Sequence, residues 1–418
     1  MISNQEQKGR LVEKCHMCKG ESLAPILDLG HQPHSDHFPT KEQLNEHEER
    51  YPLRLVSCGD CGLLQIDYLV NPKILYQTDY LYQSAATTTT GNKHFKDMAH
   101  EVCTAHDILK GSLAVDIGSN VGALLHSFKE EGMRVLGVDP ADVAKQAILN
   151  GIPTILDFFS TRIAKEIVEE HGKAHVITGT NAFAHLHEID DAVLGMKTLL
   201  ADDGVIAVEA PYVVDLIKEL QYDTIYHQHV GYLSVKPMAA YFKRFGLELF
   251  GIKKSDYFGG SMRYYIGHEG KHVVSDDVSR YIEEESAFGL YSLPRLQKFA
   301  DDVEQHRRDL TELLLKLKKE GKSIVAISAP AKGNTLLNYC NIDKTILNFI
   351  TEKNQLKVGR FTPGTFIPIY DDARLLAEKP DYALLLAWNF ATEIMKNMEA
   401  FKKGGGKFII PIPHPKII

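Results

Sequence analysis

Residues 223–234 read DTIYHQHVGYLS, a stretch that sets two tyrosines, two histidines and a glutamine within a few positions. Imidazole changes charge near neutral pH and a phenol donates a hydrogen bond, so together they can take a proton from one atom and hold the charge left on another. If the segment is extended, Tyr226 and Gln228 face one way while His227 and His229 face the other. Each of these side chains alone also fits an ordinary strand in which a half-buried polar tip finds a partner, so the cluster has to be weighed with the rest of the chain.

A second chemistry lies in the cysteines. Four of the six form two C-x-x-C pairs, Cys15 with Cys18 in CHMC and Cys58 with Cys61 in CGDCG. Two intervening residues let both thiolates face one tetrahedral centre from a tight turn, and two such turns complete a four-cysteine zinc site. Four thiolates leave no open coordination position, so the expected metal is structural rather than catalytic. His16, His31, His34 and His37 lie nearby as other donors, while Cys103 and Cys340 read as small buried apolar residues.

The third is a glycine-bearing loop. VDIGSNVG places Asp116, Gly118 and Gly122 in D-x-G-x-x-x-G, after an apolar run and before a helical pattern. Glycines there let the backbone approach a ligand closely at the carboxyl edge of a sheet. A dinucleotide loop reads G-x-G-x-x-G, and Asp116 stands where its first glycine would, which disfavours NAD. An acid in the loop suits a ligand with an ammonium group and no phosphate, such as S-adenosylmethionine. Asp139 ends the next apolar run, where a carboxylate can accept both ribose hydroxyls. Asp157 and Phe158 in LDFF are candidate adenine contacts, and Asn120 and Asn181 complete the expected cofactor set.

These groups need a scaffold, and the hydrophobic patterns supply one. Residues 1–75 read as a metal-stapled module, with LAPILDLGHQPHSDHF as a Pro-, Gly- and His-punctuated loop and YPLRLVSC as a strand into the second cysteine pair. A Tyr- and Thr-rich stretch without helical period follows, and then a helix over about residues 94–109. From residue 113 strands and helices alternate (LAVDIG, NVGALLHSFKEEG, RVLGVD, AHVITGTNAF, GVIAVEAPY), which argues for a mostly parallel, doubly wound sheet. A charged helical span over about residues 276–319 separates this unit from a second, smaller α/β unit built from SIVAISA, KGNTLLNYC, LNFITEKN, YALLLAW and KFIIPIP. The expected division is 1–75, 76–285 and 286–418.

Length and composition agree with that division. At 418 residues the chain exceeds one ordinary core, and 44% hydrophobic with 24% charged residues is a globular composition. A net charge of -8 argues against a nucleic-acid or membrane-surface partner. Neither a membrane-length apolar run nor an apolar signal core stands in the sequence, so the expected compartment is the cytoplasm, where C-x-x-C pairs hold metal rather than disulfides.

Taken in order, CHMC, CGDCGLLQ, DYLYQS, VDIGSNVGALL, NAFAHL, IYHQHVGYLS, GGSMR, APAKGNTLLNYC and PGTFIPI…LLLAWNF resemble the zinc-containing sugar C-methyltransferases, which methylate a carbon beside the ketone of a nucleotide-linked 4-keto sugar. The resemblance spans nearly the whole chain. It implies a zinc-binding N-terminal domain, a central Rossmann-like S-adenosylmethionine domain and a C-terminal Rossmann-like domain that helps hold the nucleotide sugar.

Carbon methylation needs a proton removed beside the ketone and an enolate stabilised near the methyl donor. By resemblance His229 matches the general base and Tyr226 a hydrogen-bonding tyrosine, and His185 is a second catalytic candidate that hydrogen-bonds the enolate oxygen. Gln228 departs from relatives that carry Glu and cannot supply negative charge. Tyr80 and Tyr82 are candidates to reach the same site, and which of them does so stays open; His187 and His227 read as structural. Lys332, Gly333 and Asn334 open a helix after a strand, a position suited to phosphate, and Arg263 is a candidate partner for the same diphosphate. Competing readings are an O- or N-methyltransferase with the same cofactor, a zinc-stapled sugar-nucleotide binding protein without transfer activity, and a metal site at HQH.

Overall fold

The structure, a computed structural model, describes residues 8–84 and 88–418; residues 1–7 and 85–87, the latter inside the Tyr- and Thr-rich stretch, lie outside the described residues. Of the four sheets among the described residues, three organise it, the fourth being the short pair Gly9–Leu11 with Tyr68–Val70. The central one has seven strands in the order Leu247–Ser255, Ser261–His268, Leu200–Pro211, Ala174–Thr180, Leu113–Ile117, Arg134–Val138 and Thr154–Ile155. The last five are parallel neighbours, and the first two close the edge as an antiparallel hairpin. All five residues of Leu113–Ile117 are buried, as an apolar run must be when helices cover both faces. The helices Thr161–His171 and Ile189–Leu199 supply part of that cover, with Ile163, Ile167, Val193 and Met196 in the core.

The C-terminal sheet has six strands in the order Ile369–Asp371, Ile350–Glu352, Ile324–Ile327, Tyr382–Leu385, Lys407–Ile410 and Lys416–Ile417, parallel except for the last pair. The chain is thus a multidomain α/β protein. The charged span before this sheet is two helices, Asp276–Ala287 and Leu293–Lys319. Gly289, at a φ of 80°, lets the chain turn between them, and the Ser292 hydroxyl, followed by Pro294 in the first turn, restarts the second.

The N-terminal module corrects one expectation. LAPILDLGHQP is a strand, Leu23–Pro33, paired antiparallel with Arg50–Cys58. It sits at the edge of its sheet and carries two register shifts, so Pro25 and Gly30 interrupt the ladder without ending it. That sheet runs Gly231–Tyr232, Leu64–Ile66, Arg50–Cys58, Leu23–Pro33, so its fourth strand comes from the segment just after the His229 turn. The first long helix is Thr89–Ala105, earlier than expected, because the Thr88 hydroxyl accepts from the Gly91 N–H and caps it. No helix among the described residues is long and apolar enough to cross a membrane.

Candidate active site

A cavity of about 610 Å³ opens at the carboxyl ends of the central and C-terminal parallel strands and takes side chains from all three sheet units, the position at which open α/β sheets bind ligands. Gly118, Asn120, Asp139, Phe158 and Asn181 line one side of it. Gly118 has a φ of 73°, and a Cβ there would lie 2.6 Å from the Ala182 Cβ, so only glycine fits. The Asp139 carboxylate accepts from the Asn120 N–H and the Ala141 N–H, each at 2.8 Å, which folds the loop around it. The Asn120 amide in turn accepts from the Ser84 N–H at 2.9 Å and donates to the Tyr82 carbonyl at 3.1 Å, tying the tyrosine stretch to the loop. The Asn181 Oδ1 is buried without a partner. A buried acceptor kept free, a backbone cradle closed to any Cβ and a carboxylate at the second strand end fit an adenosyl cofactor.

On another wall stand the residues of the IYHQH segment. It is a turn, not a strand, with the His229 N–H donating to the Tyr226 carbonyl at 2.9 Å. Tyr226, Gln228 and His229 therefore all line the cavity, against the alternation an extended segment would impose. Tyr226 and His229 have ring centroids 4.0 Å apart. His227 alone turns away, its Nε2 reaching the Pro52 carbonyl at 3.2 Å. Downstream, the Ile66 N–H donates to the Val230 carbonyl and the Val230 N–H to the Ala184 carbonyl, so the turn is pinned between the zinc-binding sheet and the His185 turn.

His185 lies 4.9 Å from His229, ring to ring, and its Nε2 is buried without a partner. Burial pushes His229 down to about 4 and His185 well below the ordinary imidazole range, so both rings are neutral at pH 7. Tyr76 stacks on His185 at 6.1 Å, and Tyr80 and Tyr82 both line the cavity. Burial, and next the Asp36 charge, keep the Tyr76, Tyr80 and Tyr226 phenols protonated well above their usual range. Neutral phenols of this kind are hydrogen-bond donors toward an oxygen that gains charge.

The third wall comes from the C-terminal unit. Lys332 lines the cavity, bonded to Asn389 and stacked over the Trp388 ring at 3.9 Å. Burial lowers its ammonium to about 8, against the pull of Asp223.

Several expected contacts do not reach the cavity. Arg263 is buried against Glu209 at 2.8 Å and Glu101 at 3.0 Å, so its charge is already spent within the sheet. Gly333 packs under Leu386, and the Asn334 amide donates to the Ser35 carbonyl at 2.6 Å. Both sit on the faces of their helix that pack against protein. Asp116 lies below the loop, accepting from the Thr178 hydroxyl at 2.6 Å. Gly122, at a φ of 79°, caps the helix Ala123–Glu130, and Asp157 pairs at the surface with Arg162. Conversely, Asp36, Tyr76 and Lys357 line the cavity and were missed. Tyr76 had a signal, since it begins the tyrosine-rich stretch; Asp36 and Lys357 had none.

The four cysteine sulfurs lie within 4.8 Å of one another, with Cys15 and Cys61, and Cys18 and Cys58, each 3.6 Å apart. Tetrahedral Zn–S bonds require sulfurs about 3.8 Å apart, so the set fits zinc closed by protein. His16, between the first two cysteines, donates from Nε2 to the Leu186 carbonyl at 2.7 Å, one residue past His185.

Residues 15–76 match the family described as "Putative zinc binding domain", residues 93–250 a "Methyltransferase domain" and residues 256–413 a "C-methyltransferase C-terminal domain". The C-methyltransferase NovU of Streptomyces niveus is 33% identical over 412 residues, covering 98% of this chain and 97% of that protein. Among solved structures, the magnesium protoporphyrin IX methyltransferase ChlM of Synechocystis PCC 6803 with bound SAH has a TM-score of 0.35 at 13% identity, covering 45% of this chain and 91% of that one. An S-adenosylmethionine-dependent methyltransferase of Clostridium acetobutylicum ATCC 824 has a TM-score of 0.34 at 11% identity, covering 43% and 92%.

Proposed function

The chain belongs to the zinc-containing, S-adenosylmethionine-dependent C-methyltransferases, and from that membership we propose that it methylates the carbon beside the ketone of a nucleotide-linked keto-deoxysugar. One observation carries the reading: two neutral imidazoles, His229 and His185, lie 4.9 Å apart in the cavity that also holds the Asn120–Asp139 cradle. Oxygen or nitrogen methylation starts from an atom that already has a lone pair. A carbon must first be made nucleophilic, which takes a base and a charge acceptor together.

S-adenosylmethionine, when bound, supplies an electrophilic methyl group on a sulfonium. The chain does the rest. Asn120, Asp139, Phe158, Asn181 and Gly118 hold the cofactor. The His229 Nδ1–H is tied to the Thr224 carbonyl at 2.7 Å, so its Nε2 carries the lone pair that takes the proton beside the ketone. His185, through its unpartnered Nε2, and Tyr226 or Tyr76, through their phenols, donate to the enolate oxygen. Lys332 serves the diphosphate. In this scheme residues 1–75 bind zinc, 76–285 bind the cofactor and 286–418 hold the nucleotide, in the cytoplasm, whose reducing conditions suit the four thiolates.

The test is incubation with S-adenosylmethionine and a panel of nucleoside-diphosphate keto-sugars, read by mass for a methyl gain and by proton NMR for its position. A methyl on carbon beside the ketone is expected. A methyl on oxygen or nitrogen overturns the reading.

A further inference from the structure

Asp36 follows the edge strand of the zinc-binding sheet, yet its side chain lines the cavity. It is 3% exposed, and its Oδ1 has no hydrogen-bond partner. The nearest cation, Lys357, stands 3.9 Å from that oxygen, too far for a hydrogen bond. The Lys357 ammonium is already held at the Ala329 carbonyl, at 2.8 Å, and over the Phe38 ring.

Gln228 stands beside it. It is 1% exposed and lines the same cavity, and neither of its amide atoms closes a hydrogen bond of good geometry. Burial pushes the Asp36 carboxyl up, with Lys357 and then Gln228 pulling it back. The phenols of Tyr76, Tyr80, Tyr82 and Tyr226 all feel the Asp36 charge, so it sits among the groups around the reacting centre rather than at the rim. A buried carboxylate without a fixed donor is destabilising in the free protein. A donor that arrives with the ligand removes that penalty.

We propose that Asp36 is the carboxylate that reads a ring hydroxyl of the sugar, accepting its hydrogen bond beside the Gln228 amide of the His229 turn. The zinc-binding module then contributes substrate selectivity directly, through a residue that touches substrate. The inference rests on the keto-sugar reading for its substrate class. A hydroxyl is the fitting donor because it is neutral. A second carboxylate would repel Asp36, and a cation would compete with Lys357.

The facing pair permits a test in which charge moves but shape does not. Asp36→Asn removes the charge, and Asp36→Asn with Gln228→Glu returns it from the other side. The substrates are a nucleoside-diphosphate 4-keto sugar that the wild type methylates and its counterpart lacking one ring hydroxyl, examined hydroxyl by hydroxyl. Zinc content, S-adenosylmethionine affinity and affinity for the free nucleoside diphosphate are measured alongside. Asp36→Asn is expected to raise KM for the full sugar about 10- to 100-fold, with those three controls unchanged. It should also stop discriminating against one of the deoxygenated sugars. The swap variant should recover to within about fivefold of wild type. Gln228→Glu alone places two carboxylates together, so they share a proton and the KM profile gains an ionisation above the ordinary carboxylate range. That profile is read against the other groups facing the pair, namely Lys357, Tyr76, Tyr80, Tyr82 and Tyr226.

An Asp36→Asn enzyme with unchanged KM, or a swap no better than Asp36→Asn alone, overturns the proposal and leaves the substrate reading standing. If Asp36→Asn loses zinc, the wild type decides: equal turnover of every deoxygenated sugar overturns the proposal. A wild type that methylates no keto-sugar overturns the substrate reading and the proposal with it.

Discussion

His229 donates its Nδ1 proton to the Thr224 carbonyl at 2.7 Å. A carbonyl oxygen only accepts, so the contact fixes the tautomer and leaves Nε2 as the basic atom. His229→Ala is expected to leave both ligands bound and to lower turnover by about 10²–10⁴-fold. With a non-reactive cofactor analogue in deuterated water, the wild type should exchange the hydrogen beside the sugar ketone and His229→Ala should not. His185→Ala should slow both exchange and methylation, because it weakens the acceptor of the same enolate charge. Exchange at the wild-type rate in His229→Ala would place the base elsewhere.

The pH profile follows from burial. His229 is held down to about 4, so its neutral form persists until the pH falls through that value, and the acid limb of kcat/KM should lie well below the ordinary imidazole range. Lys332 is lowered to about 8, so its charge is lost as pH rises through that value and KM should climb on the alkaline side. Lys332→Arg should move the alkaline limb upward without moving the acid limb. Stability carries the same sign as the acid limb. His34, at about 3, and His227, at about 4, are buried as neutral rings. The unfolded chain therefore binds protons that the native state refuses, and the melting temperature should fall as pH drops below about 6.5.

In the proposed scheme Asp139 joins the cofactor to the loop. Asp139→Ala should weaken S-adenosylmethionine binding by about 1–3 kcal/mol, measured by calorimetry, with zinc content unchanged. Because the same carboxylate anchors the Asn120 and Ala141 N–H groups, added cofactor should stabilise the variant against heat less than it stabilises the wild type.

Zinc is expected to act at a distance through His16, which lies between two of the cysteines and bonds to Leu186. Cys58→Ser should empty the site and lower the melting temperature, because metal binding to such a site is folding energy. It should also loosen the hold of His16 on Leu186, so turnover should fall by about tenfold or more. S-adenosylmethionine affinity should change little, since no cysteine of the site lines the cavity. Loss of cofactor binding on chelation would contradict this division.

The legible parts of this protein are those in which spacing along the chain sets geometry. Two residues between thiolates make a knuckle, and a strand ending in DIG turns into a helix with Gly118 at the bend. Asp139 ends the adjacent strand and faces the same edge. His185 and His229 carried the resemblance, and the sequence placed His185 at a carboxyl edge. What failed was inference by alternation: the IYHQH segment is a turn, so Gln228 and His229 share a wall that a strand would have split between faces. Arg263 misled because a lone arginine after GGSM looks the same whether it meets a phosphate or, as here, Glu209 and Glu101. Asp36 and Lys357 could not be paired from sequence, because they approach only after two domains have packed.

The inner strand Leu64–Ile66 takes its outer partner from Gly231–Tyr232, a segment made long after it. During synthesis the zinc knuckle can load its metal while this strand edge still has no neighbour, and the ladder closes only when the His229 turn has emerged and folded. A fragment that stops before Gly231 therefore presents an open edge of buried-type residues, Leu64, Gln65 and Ile66, to other nascent chains. Recombinant expression of the zinc module alone is expected to yield aggregates, and a split version of the protein should be cut after Tyr232, not before it.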